Sequence, residues 1–138
     1  MPRVSQRGDQ MPASPIRRLV PMAVKAMNRG VKVYRLNIGQ PDVPTPPAAM
    51  EALHRIDRKV LEYSPSDGLL SLREKMCGYY AGLGIDVSVD DIIVTTGGSE
   101  AVLFGFMSCF DPGDEVIMPE PTYANYMAFA MSAGAKVV

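Results

Sequence analysis

The sequence predicts an α/β fold built around a parallel sheet. Two short and largely β-branched apolar segments, 92–94 (IIV) and 116–118 (VIM), alternate with segments of helical periodicity in the second half of the chain. Continuous apolar runs of this kind are typical of strands that are buried on both faces of a parallel sheet. The connections between them are short, which favours right-handed strand–helix–strand units.

The composition is that of a globular protein. The chain has 138 residues, of which 47% are hydrophobic and 21% are charged, and its formal net charge is −1. These values exclude a disordered tail and a strongly basic nucleic-acid-binding protein. Apolar runs are far shorter than a membrane span, and no apolar stretch follows the basic N-terminus. Two cysteines are too few for a disulfide scaffold, so we expect a cytoplasmic protein. From the balanced charge and the short apolar runs, we expect neither nucleic-acid nor membrane partners.

The N-terminal region predicts an arm and one helix. Residues 1–15 contain several prolines and no periodicity, which indicates an irregular arm. Ser14 and Pro15 form a typical helix start, and Gly30 stands where a helix-ending glycine belongs. Pro21 falls in the first turns of this helix, where its missing N–H group costs least.

A strand, a loop and a second helix are expected next. Residues 33–38 form a short strand candidate, and the proline-rich segment 39–47 predicts an extended loop. Thr45 is the expected N-cap of a helix that continues to about Arg58.

The rest of the chain predicts a regular alternation of elements. The helix at 101–110 is apolar nearly all round, so we expect it to be buried. The sequence stops inside a predicted strand, which leads us to expect a fragment of a larger domain. The predicted elements are a loop at 63–68, a helix from 69 to about 82, a strand at 92–94, a tight turn at 95–100, a helix at 101–110, a turn at 111–114, a strand at 116–118, a helix at 123–133 and a strand at 135–138.

The turn at 95–100 is the strongest candidate for a ligand site. Gly97 and Gly98 follow a predicted buried strand, and Ser99 opens a helix. Glycine allows a ligand to approach the backbone closely, and the free N–H groups of a helix start favour an anion such as phosphate. The segment has neither the Walker pattern nor the pattern of a dinucleotide-binding loop. A plain strand-to-helix turn is the alternative.

Five motifs together give the chain a family resemblance. They are LNIGQPD at 36–42, YSPSDGLLSLR at 63–73, VTTGGSEA at 94–101, DPGDEV at 111–116 and PTYANY at 121–126. In this order and at these spacings, the chain resembles the N-terminal portion of a fold-type I pyridoxal-phosphate-dependent aminotransferase of class I/II, in the aspartate aminotransferase family. The resemblance implies an N-terminal arm with small-domain and interface segments at 1–45. It also implies the beginning of the large cofactor-binding domain, with a truncated βαβαβ sheet, at 46–138.

The resemblance also implies roles for residues of the cofactor site. Gly98, Ser99 and Glu100 match the turn that holds the phosphate of pyridoxal 5′-phosphate, chiefly through backbone N–H groups. We expect the Glu100 carboxylate to point away, because a second anion would repel the phosphate. Tyr123 matches the aromatic residue that stacks on the pyridine ring, whereas Tyr126 is expected to pack in the core.

Two further residues match positions that contact the substrate or the neighbouring subunit. Gly39 matches the glycine whose backbone N–H meets the substrate carboxylate, with a strand-ending glycine as the alternative. Tyr63 matches the tyrosine that reaches the cofactor phosphate of the neighbouring subunit, so the resemblance implies a homodimer with shared active sites. An ordinary loop tyrosine is the alternative for Tyr63.

No catalytic residue is carried over. Transamination needs a lysine for Schiff-base formation, and the family places it C-terminal to the matched portion, beyond residue 138. We therefore expect the chain alone to be inactive. One histidine and two distant cysteines offer no plausible metal site.

The resemblance implies an enzyme that, at full length, transfers an amino group between an amino acid, such as aspartate, and a 2-oxo acid. Two alternatives stay open. One is another pyridoxal-phosphate reaction on the same fold, such as a C–S lyase or synthase reaction. The other is a non-catalytic module of this fold.

Overall fold

The computed structural model describes residues 2–138, and helices dominate this range. One 3₁₀ helix and a two-stranded sheet complete the described part of the chain. The elements are α1 (Gln6–Gln10), α2 (Pro15–Arg18), α3 (Val20–Met27), α4 (Pro47–His54), α5 (Leu70–Ala81), the 3₁₀ helix (Val89–Asp91), α6 (Gly98–Cys109), β1 (Glu115–Val116), α7 (Asn125–Ala133) and β2 (Lys136–Val137).

The sheet consists of one β1–α7–β2 unit in the described residues. The two strands are parallel, with Glu115 opposite Lys136 and Val116 opposite Val137. The side chains of the first pair also meet, since Lys136 Nζ lies 2.7 Å from Glu115 Oε1. Gly134 ends α7 in the left-handed region, with a φ of 94°, and turns the chain into β2. The predicted parallel strand–helix–strand arrangement is confirmed for this unit.

The two earlier strand predictions are wrong. Neither 33–38 nor 92–94 joins a sheet in the described part of the chain. The segment 92–94 is extended, but the Val94 N–H donates to the carbonyl oxygen of Asp67, in a loop, at 3.1 Å. A strand forms when a neighbouring strand accepts and donates its backbone hydrogen bonds. Here a loop accepts the hydrogen bond instead, so no strand pair forms. The predicted βαβαβ order is therefore confirmed only in its last βαβ unit.

The N-terminal region is more helical than predicted. Residues 6–10 form α1, whose start is capped by the Ser5 hydroxyl accepting from the Gly8 N–H at 3.1 Å. The predicted helix after Ser14 exists, but Leu19 divides it into α2 and α3. Pro21 accounts for the division, because it has no N–H group to continue the hydrogen bonds of α2.

The boundaries of α4 also differ from the prediction. Thr45 is not its N-cap: the cap residue is Pro46, without a side-chain hydrogen bond, and the helix starts at Pro47. The helix ends at His54, before the predicted end at Arg58. Two consecutive prolines shift the start, since Pro47 disfavours the helical region for the residue before it, and Pro46 has an extended ψ of 129°.

The prediction that α6 is buried is wrong. The structure buries none of its residues, and the side chains of Phe104 and Met107 are exposed. Within residues 2–138, α7 is the one element with which α6 makes extensive contacts. The buried apolar residues of the described range are Ala130 and Ala135, at α7 and β2, and Ile92, at the end of the 3₁₀ helix.

Candidate functional site

The turn before α6 is held by two side chains of its own. The Thr95 hydroxyl donates to the Gly97 carbonyl oxygen at 2.9 Å. The Glu100 carboxylate accepts a hydrogen bond from the Thr96 N–H at 2.7 Å. The carboxylate therefore folds back onto the start of the turn and satisfies an amide there, as an acidic residue in the first turn of a helix commonly does. Together these bonds fix the path of the backbone into α6.

The next three amides of the turn are open. The N–H groups of Gly97, Gly98 and Ser99 donate to no acceptor among residues 2–138. They are the first donors of a 12-residue helix, where the helix dipole adds partial positive charge. A Cβ atom added at Gly97 or Gly98 would meet no described atom within 4 Å. The turn thus presents open donors and space for an anion beside them.

A pocket of about 330 Å³ lies at this turn and extends towards α7. Its volume is at the lower end of the range for small-molecule sites. Aromatic rings form one side, and the turn forms the other. The lining residues are Gly98, Ser99, Val102, Tyr123, Tyr126 and Phe129. The structure therefore brings together three predicted site residues, Gly98, Ser99 and Tyr123, although Tyr123 is distant from the other two in sequence.

The two tyrosines of the pocket contact each other. Their ring centroids are 5.3 Å apart and the rings are nearly perpendicular, with an interplanar angle of 79°. The Tyr123 hydroxyl accepts a hydrogen bond from Asn125 Nδ2 at 3.0 Å, which anchors the ring at its polar end. Tyr126 is partly exposed and lines the pocket, so the expectation that it packs in the core is wrong. A core position would need apolar contacts on every side of the ring, and Tyr126 has pocket space on one of them.

Sequence reasoning missed two lining residues altogether, Val102 and Phe129. Val102 lies one helical turn after Gly98, and Phe129 lies three residues after Tyr126 on α7. Residues three or four apart share a helix face, so this spacing was the available signal. It identifies the pocket only once the Gly98 face of α6 and the Tyr126 face of α7 are known to meet.

Gly39 and Tyr63 lie outside the pocket. Gly39 stands in an exposed extended loop, and a Cβ atom added there would meet no described atom within 4 Å. Tyr63 is fully exposed. Its loop is nevertheless connected to the turn, because Asp67 in the same loop accepts the hydrogen bond from Val94, directly before Thr95.

Two kinds of feature are absent from the described residues. Across residues 2–138, no three His, Cys, Asp or Glu side chains are grouped closely enough to hold a metal ion. No helix in the same range is both long enough and apolar enough to cross a membrane. The open amides beside an aromatic wall suit a phosphate-bearing ligand with a flat ring.

Comparison with known proteins shows the family. The sequence profile of "Aminotransferase class I and II" matches residues 31–138. The chain is 40% identical over 108 residues to an aspartate aminotransferase of Pyrococcus horikoshii, covering 77% of this chain and 28% of that protein. It is 34% identical over 139 residues to the aspartate aminotransferase of Thermotoga maritima, covering 97% of this chain and 36% of that protein.

Solved structures agree. A single mutant of the aspartate aminotransferase from Thermus thermophilus superposes with a TM-score of 0.91 at 33% identity, over 100% of this chain and 37% of that one. The crystal structure of the Thermotoga maritima enzyme gives a TM-score of 0.86 at 33% identity, over 98% of this chain and 36% of that one. This chain thus spans about a third of the length of the relatives it matches, with their N-terminal fold. The chain belongs to the family of class I and II aminotransferases, among the relatives of the aspartate aminotransferases.

Proposed function

We propose that this chain contributes the phosphate-holding portion of an aminotransferase that uses pyridoxal 5′-phosphate. The reaction is the transfer of an amino group between an amino acid, aspartate or a similar one, and a 2-oxo acid. One observation carries the proposal: the open amides of Gly98 and Ser99 share a pocket with the ring of Tyr123.

The residues present fit the cofactor. A phosphate group needs several donors at close range, and the open amides at the start of α6 are such donors. The glycines leave the approach free, since a Cβ atom at either Gly97 or Gly98 would project into open space. On the other side of the pocket, Tyr123 offers a flat surface of the kind that a pyridine ring stacks against.

These residues have binding and positioning roles. The amides of α6 hold the phosphate, and the Glu100 carboxylate keeps the turn in shape through its bond to Thr96. Tyr123 orients the ring and excludes water from one of its faces. Pyridoxal phosphate, when bound, supplies the electron sink that makes amino-group transfer possible.

The names of relatives support the reaction class. The class I and II family is pyridoxal-phosphate-dependent, and the relatives described above are aspartate aminotransferases. Others are named for different amino donors, including an LL-diaminopimelate aminotransferase of Gloeobacter violaceus. Transamination is common to these names, which favours it over a lyase or synthase reaction on the same fold.

Four features of the whole protein belong to the same proposal: its location, its subunit arrangement, the role of Gly39 and its division into domains. The protein is a cytoplasmic homodimer with active sites shared between subunits, and Gly39 contributes its N–H to the substrate carboxylate. Residues 1–45 form the arm and interface segments, and residues 46–138 begin the large domain. The exposure of both Gly39 and Tyr63 is compatible with contacts to substrate and to a second subunit.

Absorbance spectroscopy of the full-length protein tests the proposal. Addition of pyridoxal phosphate is expected to produce a visible protein-bound band that borohydride reduction removes. With aspartate and a 2-oxo acid, the protein is then expected to form the corresponding new amino acid. Absence of the band would reject the cofactor assignment, whereas a band without amino transfer would favour a different reaction on the same cofactor.

A further inference from the structure

A partly buried arginine joins the Tyr63 loop to the segment that leads into the phosphate turn. Arg73 lies in the first turn of α5, and its side chain is only 10% exposed. Its Nη2 atom lies 2.5 Å from Asp67 Oδ2, and its Nη1 atom donates to the Val89 carbonyl oxygen at 2.7 Å. We use the name "Arg73 junction" for Arg73, Asp67, Gly68, Val89 and Val94.

The loop side of the Arg73 junction contacts the phosphate-turn segment directly. The Asp67 carbonyl oxygen accepts the hydrogen bond from the Val94 N–H, so its carboxylate faces Arg73 while its backbone holds Val94. Gly68 packs against the Val94 side chain so closely that an added Cβ atom would lie 2.5 Å from Val94 Cβ. Gly68 also has a φ of +94°, which is a conformation that L side chains rarely adopt.

The Arg73 junction lies close in sequence to both predicted phosphate contacts. Tyr63 stands four residues before Asp67, and Thr95 directly follows Val94. Both predicted phosphate contacts, the tyrosine and the turn, are therefore attached to the same short segments. We infer that Arg73 is a positioning residue: by fixing Asp67, it holds the Tyr63 loop and the phosphate turn in one geometry. This inference rests on the proposed function.

A role in stability alone explains the arrangement less well. Burial of an arginine is costly unless all its donors are paired, and Arg73 Nε is buried without a partner among residues 2–138. An apolar side chain of similar volume would fill the space without that cost. Such a side chain would not specify where Asp67 and Val89 lie, whereas a charged fork with two fixed acceptors does.

The affinity ratio between pyridoxal phosphate and pyridoxal tests this role in the full-length protein. Pyridoxal lacks the phosphate. The dissociation constant of pyridoxal divided by that of pyridoxal phosphate, measured by equilibrium dialysis, therefore reports the phosphate contacts alone. Arg73→Gln and Asp67→Asn are each expected to lower the ratio about tenfold, the factor that corresponds to one lost hydrogen bond to a charged group. Arg73→Lys keeps the charge and is expected to recover part of the ratio.

Arg55→Gln is the matched control, because Arg55 also pairs with an acidic residue, Glu51, but on an exposed helix surface. It is expected to leave the ratio unchanged. Asp67 is half-exposed, so Asp67→Asn decides the test if Arg73→Gln fails to fold. An unchanged ratio in folded Asp67→Asn, or equal losses for both ligands, would overturn the inference. If the unsubstituted protein binds both ligands equally, the proposed function itself fails.

Discussion

At the scale of single residues, Gly98 makes the sharpest prediction about the site. It is the first residue of α6, its amide is open, and a Cβ atom would enter free space. Gly98→Val is therefore expected to leave the fold intact and to block the phosphate from the amide. We expect affinity for pyridoxal phosphate to fall about tenfold or more, equivalent to at least one charged hydrogen bond. Equilibrium dialysis of the full-length protein measures this change.

Gly105→Val supplies the control for that measurement. Gly105 lies on the same helix, a Cβ atom there also meets no described atom within 4 Å, and the residue does not line the pocket. The same substitution is expected to leave cofactor affinity unchanged. Equal affinity of folded Gly98→Val and Gly105→Val proteins would contradict the phosphate role of Gly98.

A second prediction at this scale concerns the pH dependence of thermal stability, through Asp91, which directly precedes the 92–94 segment. The Ser88 hydroxyl and N–H both donate to Asp91 Oδ2, at 2.7 Å and 2.9 Å, and these bonds lower the pKa of Asp91 from its ordinary 3.8. A lowered pKa in the folded state means that the stabilisation is complete above pH 3.8 and disappears as the pH falls through the folded value. The Tm of the unsubstituted protein should therefore exceed that of Asp91→Asn by a larger margin at pH 7 than at pH 3.

Thermal unfolding of both proteins across this range measures the difference. Asp86→Asn, at a nearby acidic residue for which no side-chain hydrogen bond is present in the described structure, serves as the comparison. A Tm difference for Asp91→Asn that stays constant with pH would contradict the role of the Ser88 bonds.

The residues of the site show what sequence can and cannot provide. Gly98 and Ser99 were predictable as pocket residues from the local chemistry of a glycine turn at a helix start, and Tyr123 from the family resemblance. Val102 and Phe129 were not, because their contribution depends on how α6 and α7 face each other. The hydrogen bond from the Thr96 amide to the Glu100 carboxylate is local and resembles a common pattern at helix starts. Only the repulsion between this carboxylate and a phosphate was considered from the sequence, so the bond was not predicted.

At the scale of elements, helices were more predictable than strands for a physical reason. The ends of α5 and α7 follow from the glycines after them, as the left-handed Gly134 shows, although α7 starts at Asn125 and not at the predicted Tyr123. A strand depends on a partner that is distant in sequence, and 92–94 has the apolar pattern but finds a loop instead. The exposed surface of α6 has the same origin, since burial of its apolar residues needs elements on several sides.

The contact between the 63–68 loop and the 92–94 segment gives the prediction at this scale. Gly68→Ala is expected to destabilise the protein in two ways. The left-handed backbone costs about 1–2 kcal/mol with a side chain. The added methyl group also collides with Val94, and overpacking of this kind costs about 1–3 kcal/mol more. Chemical denaturation measures the total loss in the free energy of unfolding.

Gly84→Ala separates the two contributions. Gly84 has a similar φ of +77°, but a Cβ atom there would meet no described atom within 4 Å. It should therefore show the backbone cost alone. Equal losses for the two substitutions would mean that the Gly68–Val94 contact relaxes without cost.

At the scale of the whole molecule, apolar surface and exposed motif residues belong together. Among the described residues, large exposed apolar side chains occur from the N-terminal arm to α7, including Leu36 at 94% and Leu61 at 85%. Two of them lie close in sequence to motif residues: Leu36 is three residues before Gly39, and Leu61 is two residues before Tyr63. Exposed apolar surface of this extent typically marks sites of association. This chain spans about a third of the length of its relatives, so the rest of the protein and a second subunit are both available to cover such surface. In the proposed homodimer, Tyr63 reaches the second subunit.

A mixed dimer of the full-length protein tests this arrangement. One subunit carries Tyr63→Phe and the other carries Gly98→Val, with different affinity tags so that the mixed dimer can be isolated. If Tyr63 contacts the phosphate in the partner subunit, both defects fall on the site of the Gly98→Val subunit. The site of the Tyr63→Phe subunit then has an intact turn and an intact tyrosine from its partner. The mixed dimer is therefore expected to bind pyridoxal phosphate at one site with unimpaired affinity.

The two parental homodimers are the controls, and in each of them both sites carry one defect. If Tyr63 instead served its own subunit, the mixed dimer would contain one defect in each site, and no site would have unimpaired affinity. A titration that distinguishes one tight site per mixed dimer from none therefore decides between the two arrangements. Tyr63 is exposed and lies outside the pocket that holds Gly98, Ser99 and Tyr123, as the arrangement between subunits requires.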